Sequence, residues 1–317
     1  MTILRLISLT LLLAGAFART FASNPDSIGQ PPVKAAPIVA RAGTSAVVNF
    51  AMTELFKSTI HETRPDRSGH HSWPSRHSSW AFTAASVVGH ELYVRSPWWA
   101  LGAHAVADCV AMQRVLSRRH YPKDVIGGAA IGLISTEIGY AVGRLLYPHS
   151  YPRLPYAVAD WMPALDVSTQ MIVPFGGPAG GVTTGIGAST ALRLSMPVTD
   201  WWGVAVSGSL RSLPVRRAGL PVDMLSSVGL SAGFAGWLPL GTGRWAAQTH
   251  VMPGIARNFG TDNVSHPSCS FTLDITGGFN CQLTDRFVVG ADLGYMYWAL
   301  RRGVSALTLG IYTRAQF

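Results

Sequence analysis

From Ala164 to Phe317 the chain alternates between apolar side chains and small or polar ones. Phe271, Leu273, Ile275, Gly277 and Phe279 fall on one side of an extended segment, and Thr272, Asp274, Thr276, Gly278 and Asn280 on the other. The same pattern runs through Phe287–Tyr297 and Leu307–Phe317, and fits 165–174, 181–196, 201–213, 222–238 and 244–257. A period of two is that of a β-strand with two unlike faces. About eight strands of this length match the smallest usual outer-membrane barrel. A soluble β-sandwich shares the period, but its outward faces should carry more charge than these. Tight turns are expected at Pro197–Asp200, Pro239–Gly243 and Leu283–Asp285, and longer connections at Phe175–Gly180, Pro214–Pro221 and Asn258–Ser268. Such alternation belongs to a barrel with periplasmic turns and both termini inside. Trp201, Trp202, Trp237, Trp245 and Trp298 fall near strand ends, where an aromatic girdle would lie. Arg216-Arg217 and Arg301-Arg302 fall at the expected outer end, where they would meet lipopolysaccharide phosphates or simply water.

Composition agrees. Charged residues make up only 13% of the chain and mean hydropathy is +0.24. Yet beyond the first 22 positions no uninterrupted apolar run reaches the roughly 20 residues of a comfortable membrane helix. The formal charge of +9, or +7 without Arg5 and Arg19, suits a phosphate-rich partner. No Lys/Arg run favours nucleic acid, so anionic lipid is the better fit. Residues 1–22 have the form of a signal peptide: Arg5, an apolar stretch from Leu6 to Leu13, and small residues before a cut after Ala22 or Ala18. An uncleaved anchor is the other reading. Cys269 and Cys281 sit at the two ends of one expected strand, roughly 40 Å apart at about 3.3 Å per residue, and Cys109 in an apolar helix. Three free thiols are expected.

Ahead of the strands the period is helical. Helices are expected from near Val39 through Lys57, from Trp80 to Tyr93, from Trp98 to Leu116 and from Val125 to Leu146. The intervening Arg64–Pro74 is rich in Asp, Ser, Gly and His, as suits an irregular loop. His90, Glu91, His104, Asp108 and Glu137 read as pairs inside a bundle, because their spacing makes no convincing metal-ligand set. Val125–Leu146 is long enough to cross a bilayer, but Glu137 would sit at its centre at high cost. A soluble or surface-lying bundle is expected. The fold class is therefore α + β in two domains: 23–150 helical, then 155–317 an antiparallel barrel of about eight strands.

Three clusters in the helical part carry chemistry: Lys57-x6-Arg64-Pro65, Pro74-Ser75-Arg76-His77 and Arg114-x5-His120-x3-Asp124. Cations, two imidazoles, a hydroxyl and a carboxylate are the inventory for cleaving a phosphate ester without a metal or other cofactor. The clusters resemble the signature of the type 2 phosphatidic acid phosphatase (PAP2) superfamily, which also holds vanadium haloperoxidases and bacterial acid phosphatases. The resemblance covers about residues 40 to 146. It implies that His120 is the nucleophile, Asp124 its orienting partner, and His77 the general acid and then base. It also implies that Lys57, Arg64, Ser75 and Arg114 hold the phosphate oxygens, with the Arg76 backbone N–H reaching the same group.

Two positions depart from the family pattern. Gln113 replaces a Ser, and Arg76 replaces a Gly inside the phosphate cradle, where close approach and any positive φ become harder. Ser68-Gly69-His70 mimics the family's Ser-Gly-His, but lacks the Pro-Ser before and the apolar run after that frame His77. Together these features imply a phosphatase of lipid-linked phosphate, anchored by its barrel and facing the periplasm. The expected partners are a phosphorylated lipid substrate and outer-membrane lipid or lipopolysaccharide, with no nucleic acid. Competing readings are an acid phosphatase of soluble esters, a haloperoxidase, or a decayed domain on a structural barrel.

Overall fold

A computed structural model describes residues 35–92, 96–148, 159–175, 182–217, 222–260, 267–300 and 303–317. The signal segment, part of each linker, and Arg301-Arg302 lie outside the described residues, as does the side chain of Arg217; Arg216 is exposed at a strand end. Four helices come first: α1 (Ala35–Thr59), α2 (Arg76–Leu92), α3 (Pro97–Leu116) and α4 (Pro122–Leu146). Pro97 and Pro122 start their helices where a missing N–H costs nothing. Ser75 caps α2, accepting the Ser78 N–H on Oγ at 3.4 Å and the Ser79 N–H on its carbonyl at 3.0 Å.

The bundle is packed by small residues. A Cβ at Gly128 would stand 2.4 Å from the Ser75 carbonyl, one at Gly132 2.5 Å from that of Ser79, and one at Gly139 2.6 Å from the Ser45 nitrogen. The glycine stripe of α4 thus brings its backbone against α1 and α2, the packing used where apolar surroundings offer no drive to associate. Helix α1 is inverted relative to a soluble helix. It buries Arg41, Ser45, Asn49, Thr53 and Lys57 at four-residue spacing and exposes Val39, Val47, Phe50 and Leu55. The expected pairing inside the bundle holds for three residues: Arg41 and Tyr140 both hold Glu91, and His90 holds Glu137 at 2.7 Å. His104 instead bonds the Ala100 carbonyl of its own helix, and Asp108 bonds the barrel.

The strands are β1 (Ala164–Pro174), β2 (Val182–Thr184), β3 (Gly187–Pro197), β4 (Trp202–Arg217), β5 (Asp223–Pro239), β6 (Trp245–Phe259), β7 (Cys269–Thr284), β8 (Phe287–Trp298) and β9 (Val304–Gln316). All pairings are antiparallel. β2 and β3 both pair with β4, so they form one interrupted barrel strand. β1 pairs with β9, and β4 pairs with β5 from Trp202↔Gly236 to Val215↔Asp223, which closes an eight-stranded barrel. Its outer face is apolar, with Leu230, Phe234, Ile255, Phe279 and Leu293 exposed, as in outer-membrane proteins. The lumen is filled. Ile172, Leu213, Leu225, Met296 and Trp298 plug one end, and Asp166 takes a bidentate bond from Arg314 at 2.6 and 2.9 Å.

Two parts of the aromatic girdle are corrected. Trp201 and Trp245 are exposed, but Trp237 and Trp298 point into the lumen. Even–odd parity along β5 and β8 decides this, and polar partners inside make it favourable: Trp298 Nε1 donates to Ser270 Oγ at 2.8 Å, and the Arg314 guanidinium lies 5.5 Å from the Trp237 ring centre. The three cysteines, all described, are free.

The sequence pattern does not say how the helices lie against the barrel; in the structure α3 crosses the outer wall. At the turn end Trp98 stacks on Phe317 at 5.8 Å, Ala100 meets Phe287, and Leu101 meets Val167 and Ala315. Midway, Asp108 accepts a very short bond from Thr169. At the far end the bundle core takes in Met224 and Leu210, and Arg118 pairs with Asp223 at 2.6 Å and reaches the Gly260 carbonyl. Phe287, Val167, Ala315, Thr169, Leu210 and Met224 have outward parity, so the bundle stands beside the barrel; Asp223, of inward parity, meets Arg118 at the start of β5. The apolar outer faces of both make that side-by-side packing favourable, whereas a polar-surfaced bundle would have stayed in water.

Candidate active site

Every element that carries a sequence-predicted site residue ends at the same place. The last turn of α1 brings Lys57, the first turn of α2 brings Arg76 and His77, the last turn of α3 brings Arg114, and the approach to α4 brings His120 and Asp124. The 60–75 loop adds Arg64 and closes over them. It is tied down by Lys123–Glu62 at 2.6 Å and Arg119–Asp66 at 3.2 Å. Two helix N-termini therefore point their free N–H groups toward one spot, a favourable place for an anion.

Asp124 is fully buried and organises the centre. Its Oδ2 accepts from Ser72 Oγ at 2.5 Å and from the Tyr121 backbone N–H at 2.9 Å, while its carbonyl accepts the Ser75 N–H at 2.9 Å. His120 Nδ1 stands 3.5 Å from the same Oδ2 and is out of line for a hydrogen bond. A small ring rotation would close it, and such contacts commonly tighten only around the substrate. Ser72 escaped the sequence reading because it belongs to none of the three clusters; its contact spans 52 residues of chain.

The cations divide by partner. Lys57 Nζ donates to the His71 carbonyl at 2.8 Å, which leaves two of its three protons free to donate elsewhere. Arg64 and Arg114 face no carboxylate at ion-pair distance among the described residues, and the Nε atoms of Arg64, Arg76 and Arg114 are buried without a protein acceptor. Buried donors of this kind mark a place that takes an acceptor. Arg76 is not the backbone problem its position suggested. Its φ is negative, since only Arg67 and Arg118 among described non-glycine residues have positive φ, and its guanidinium pairs with Glu54 at 2.6 Å. Ser75 Oγ, expected on phosphate oxygens, is engaged with Ser78 at the cap; its hydroxyl proton can still donate outward. His70 of the Ser-Gly-His mimic contacts Thr63 in the exposed loop.

His77, in the first turn of α2, feels this field most. Removal from water, and then the charges of Arg114, His120, Arg64 and Arg76, lower its pKa to about 4. The ring is neutral in the free protein at pH 7, and an anion beside it would act against the lowering by those cations.

Comparison with known proteins agrees with the geometry. The PAP2 superfamily model matches residues 52–145, a stretch that holds all the clustered site residues and most of the helical part. Over 96 residues, 30% of this chain, the sequence is 33% identical to a lipid A 1-phosphatase of Porphyromonas gingivalis. That stretch is 22% of the relative, so the chain spans about a fifth of the length of the curated protein it matches. Among solved structures, the outer-membrane protein OprG of Pseudomonas aeruginosa aligns with 50% of this chain and 97% of its own (TM-score 0.38, 13% identity). LpxE of Aquifex aeolicus aligns with 43% and 94% (TM-score 0.32, 20% identity).

Proposed function

We propose that this protein is a metal-independent phosphatase of lipid-linked phosphate monoesters, working through a phosphohistidine. His120 Nε2 attacks phosphorus while the ester P–O bond breaks, and His77, protonated as the phosphate dianion binds, gives its proton to the leaving oxygen. Water then attacks the phosphohistidine, losing its proton to His77, and inorganic phosphate leaves with His120 regenerated. Asp124 holds the imidazole by Nδ1 throughout. Lys57, Arg64 and Arg114, with the N–H groups at the start of α2, offset the charge on the transferring group.

One observation carries the lipid preference: the cationic centre sits at the tips of helices whose outward faces are apolar, with Leu55, Ile60 and Leu116 exposed beside it. A soluble ester has no use for such a rim, whereas an acyl-bearing substrate can rest on it while its phosphate enters the cradle. The lipid A 1-phosphatase relative makes a phosphorylated glycolipid the first substrate to try. The test is phosphate release by purified protein from lipid A, phosphatidate, polyprenyl phosphate and a small aryl phosphate, with and without EDTA. Lipids should lead and EDTA should change nothing. Activity on the aryl ester alone would make it a general acid phosphatase, and loss of activity in EDTA, restored by a divalent ion, would overturn the mechanism.

A further inference from the structure

We infer that the PAP2 centre works at the outer leaflet of the outer membrane, on phosphorylated lipid that reaches it sideways from the bilayer. The chemistry of this inference rests on the phosphatase reading; the location rests on geometry alone.

The barrel has two distinct ends. One carries the start of β1, the end of β9 and the connections 198–201, 240–244 and 285–286. The other carries 175–181, 218–222, 260–268 and 299–303. In barrels of this class the termini and short turns are periplasmic and the longer loops external. The aromatic side chains Trp98, Trp99, Trp201, Trp245 and Phe317 all lie exposed at the turn end, where an interfacial belt belongs. The PAP2 centre is at the opposite end, because Arg118, next to the centre, bonds Asp223 at the start of β5 and Gly260 just past β6.

The helices have the surface of membrane helices. α1 and α4 each run 25 residues, about 37 Å at the usual rise, enough to match the bilayer beside the barrel. α1 turns its polar stripe inward and its apolar side chains out, continuing the barrel's own apolar belt around the bundle. The argument against insertion was Glu137. Its side chain is 62% exposed but bonded to His90 at 2.7 Å, and pairing of this kind is how ionisable groups are kept at membrane depth. With the helices spanning, the cations at their loop-end tips fall at headgroup level. Phosphate of the external leaflet is then within reach without extraction of the lipid. The filled lumen offers no alternative route.

The experiment is cysteine accessibility in cells. Cys109, Cys269 and Cys281 are replaced by Ser, and a single Cys is placed at Ser68, in the exposed loop over the centre, or at Asp285, in a short turn. Heat-modifiable migration shows that each variant's barrel has folded. A membrane-impermeant maleimide should label Ser68→Cys in intact cells and Asp285→Cys only after the outer membrane is breached. The reverse pattern places the centre on the periplasmic side and overturns the inference. Labelling of both in intact cells, or of neither until breaching, also overturns it. Hydrolysis of lipid A by detergent-solubilised protein is read separately. The expected labelling without hydrolysis would keep the location and remove the phosphatase reading; hydrolysis with reversed labelling would do the opposite.

Discussion

The barrel and the bundle solve one problem, apolar outside and polar inside, and both pair their buried arginines, but the bundle leaves two half-buried ones at its tips without a carboxylate among the described residues. In the lumen every buried arginine faces a carboxylate: Arg314 and Arg193 share Asp166, and Arg211 holds Asp274 at 2.5 Å. At the tips of the bundle Arg64 and Arg114 face none among the described residues. Leaving a cation unpaired near low-dielectric surroundings costs free energy, and Arg64 and Arg114 stand out because the bundle pairs Arg41, Arg76, Arg119 and Lys123 with carboxylates. The paired set is structural, and the unpaired set is the one proposed to hold phosphate.

Removing the nucleophile should give the largest effect. His120→Ala should lower turnover by roughly 10⁵-fold or more, since loss of one member of such a unit costs nearly the whole. It should also abolish the acid-labile phosphoprotein trapped from labelled substrate. A phosphoprotein surviving in His120→Ala would mean that another residue is attacked.

Next comes a direct contrast of the two kinds of arginine. Arg114→Met should cost about 10²–10³-fold in turnover, the usual effect of removing one charge-stabilising donor, with the barrel's unfolding unchanged. Arg314→Met should do the reverse. It leaves Asp166 buried without its principal partner, a loss of about 3–5 kcal/mol, seen as heat-modifiable migration shifting to lower temperature while turnover of the folded fraction holds. If both variants lose activity and neither loses stability, the division of the cations fails.

Gly128→Ala tests the packing that brings the two helix N-termini together. Its Cβ would stand 2.4 Å from the Ser75 carbonyl, so α4 must retreat from the cradle at about 1–3 kcal/mol. Weakened vanadate affinity with the barrel intact is the expected outcome. Gly69→Ala, in the open loop with nothing near its Cβ, is the control.

The pH effect is smaller and has a definite sign. His77 binds its proton less readily in the folded protein than in the unfolded chain, so its contribution to stability is present above pH 6.5 and is lost as pH falls toward 4. A phosphate analogue, by offsetting Arg114 and Arg64, should raise the pKa of the ring. Ring resonances titrating near pH 4 in the free protein and higher with vanadate would show this; no change on binding would remove the link between anion and proton.

Much of this molecule was open to reading from the residues alone. The period of two fixes which side chains of Phe271–Asn280 face out, because pleat geometry admits no other alternation, and eight such segments can satisfy their edges only by closing. The three clusters named candidate site residues, which the fold gathers at one end of the bundle, because phosphate chemistry demands those groups whatever holds them. Local pattern could not settle parity at strand ends, so Trp237 and Trp298 were placed outside when the lumen had the better partners for them. Nor could it show Ser72 on Asp124 or Glu54 on Arg76, since both contacts join segments that only the folded bundle brings together. The side-by-side placement of bundle and barrel was also a tertiary decision. α1 shows almost no amphipathic pattern in sequence, because small residues such as Ala and Ser populate both its faces. Which face meets polar neighbours is decided by α4, whose Gly139 and Gly143 allow close approach to Ser45 and Arg41 and leave the apolar side facing outward.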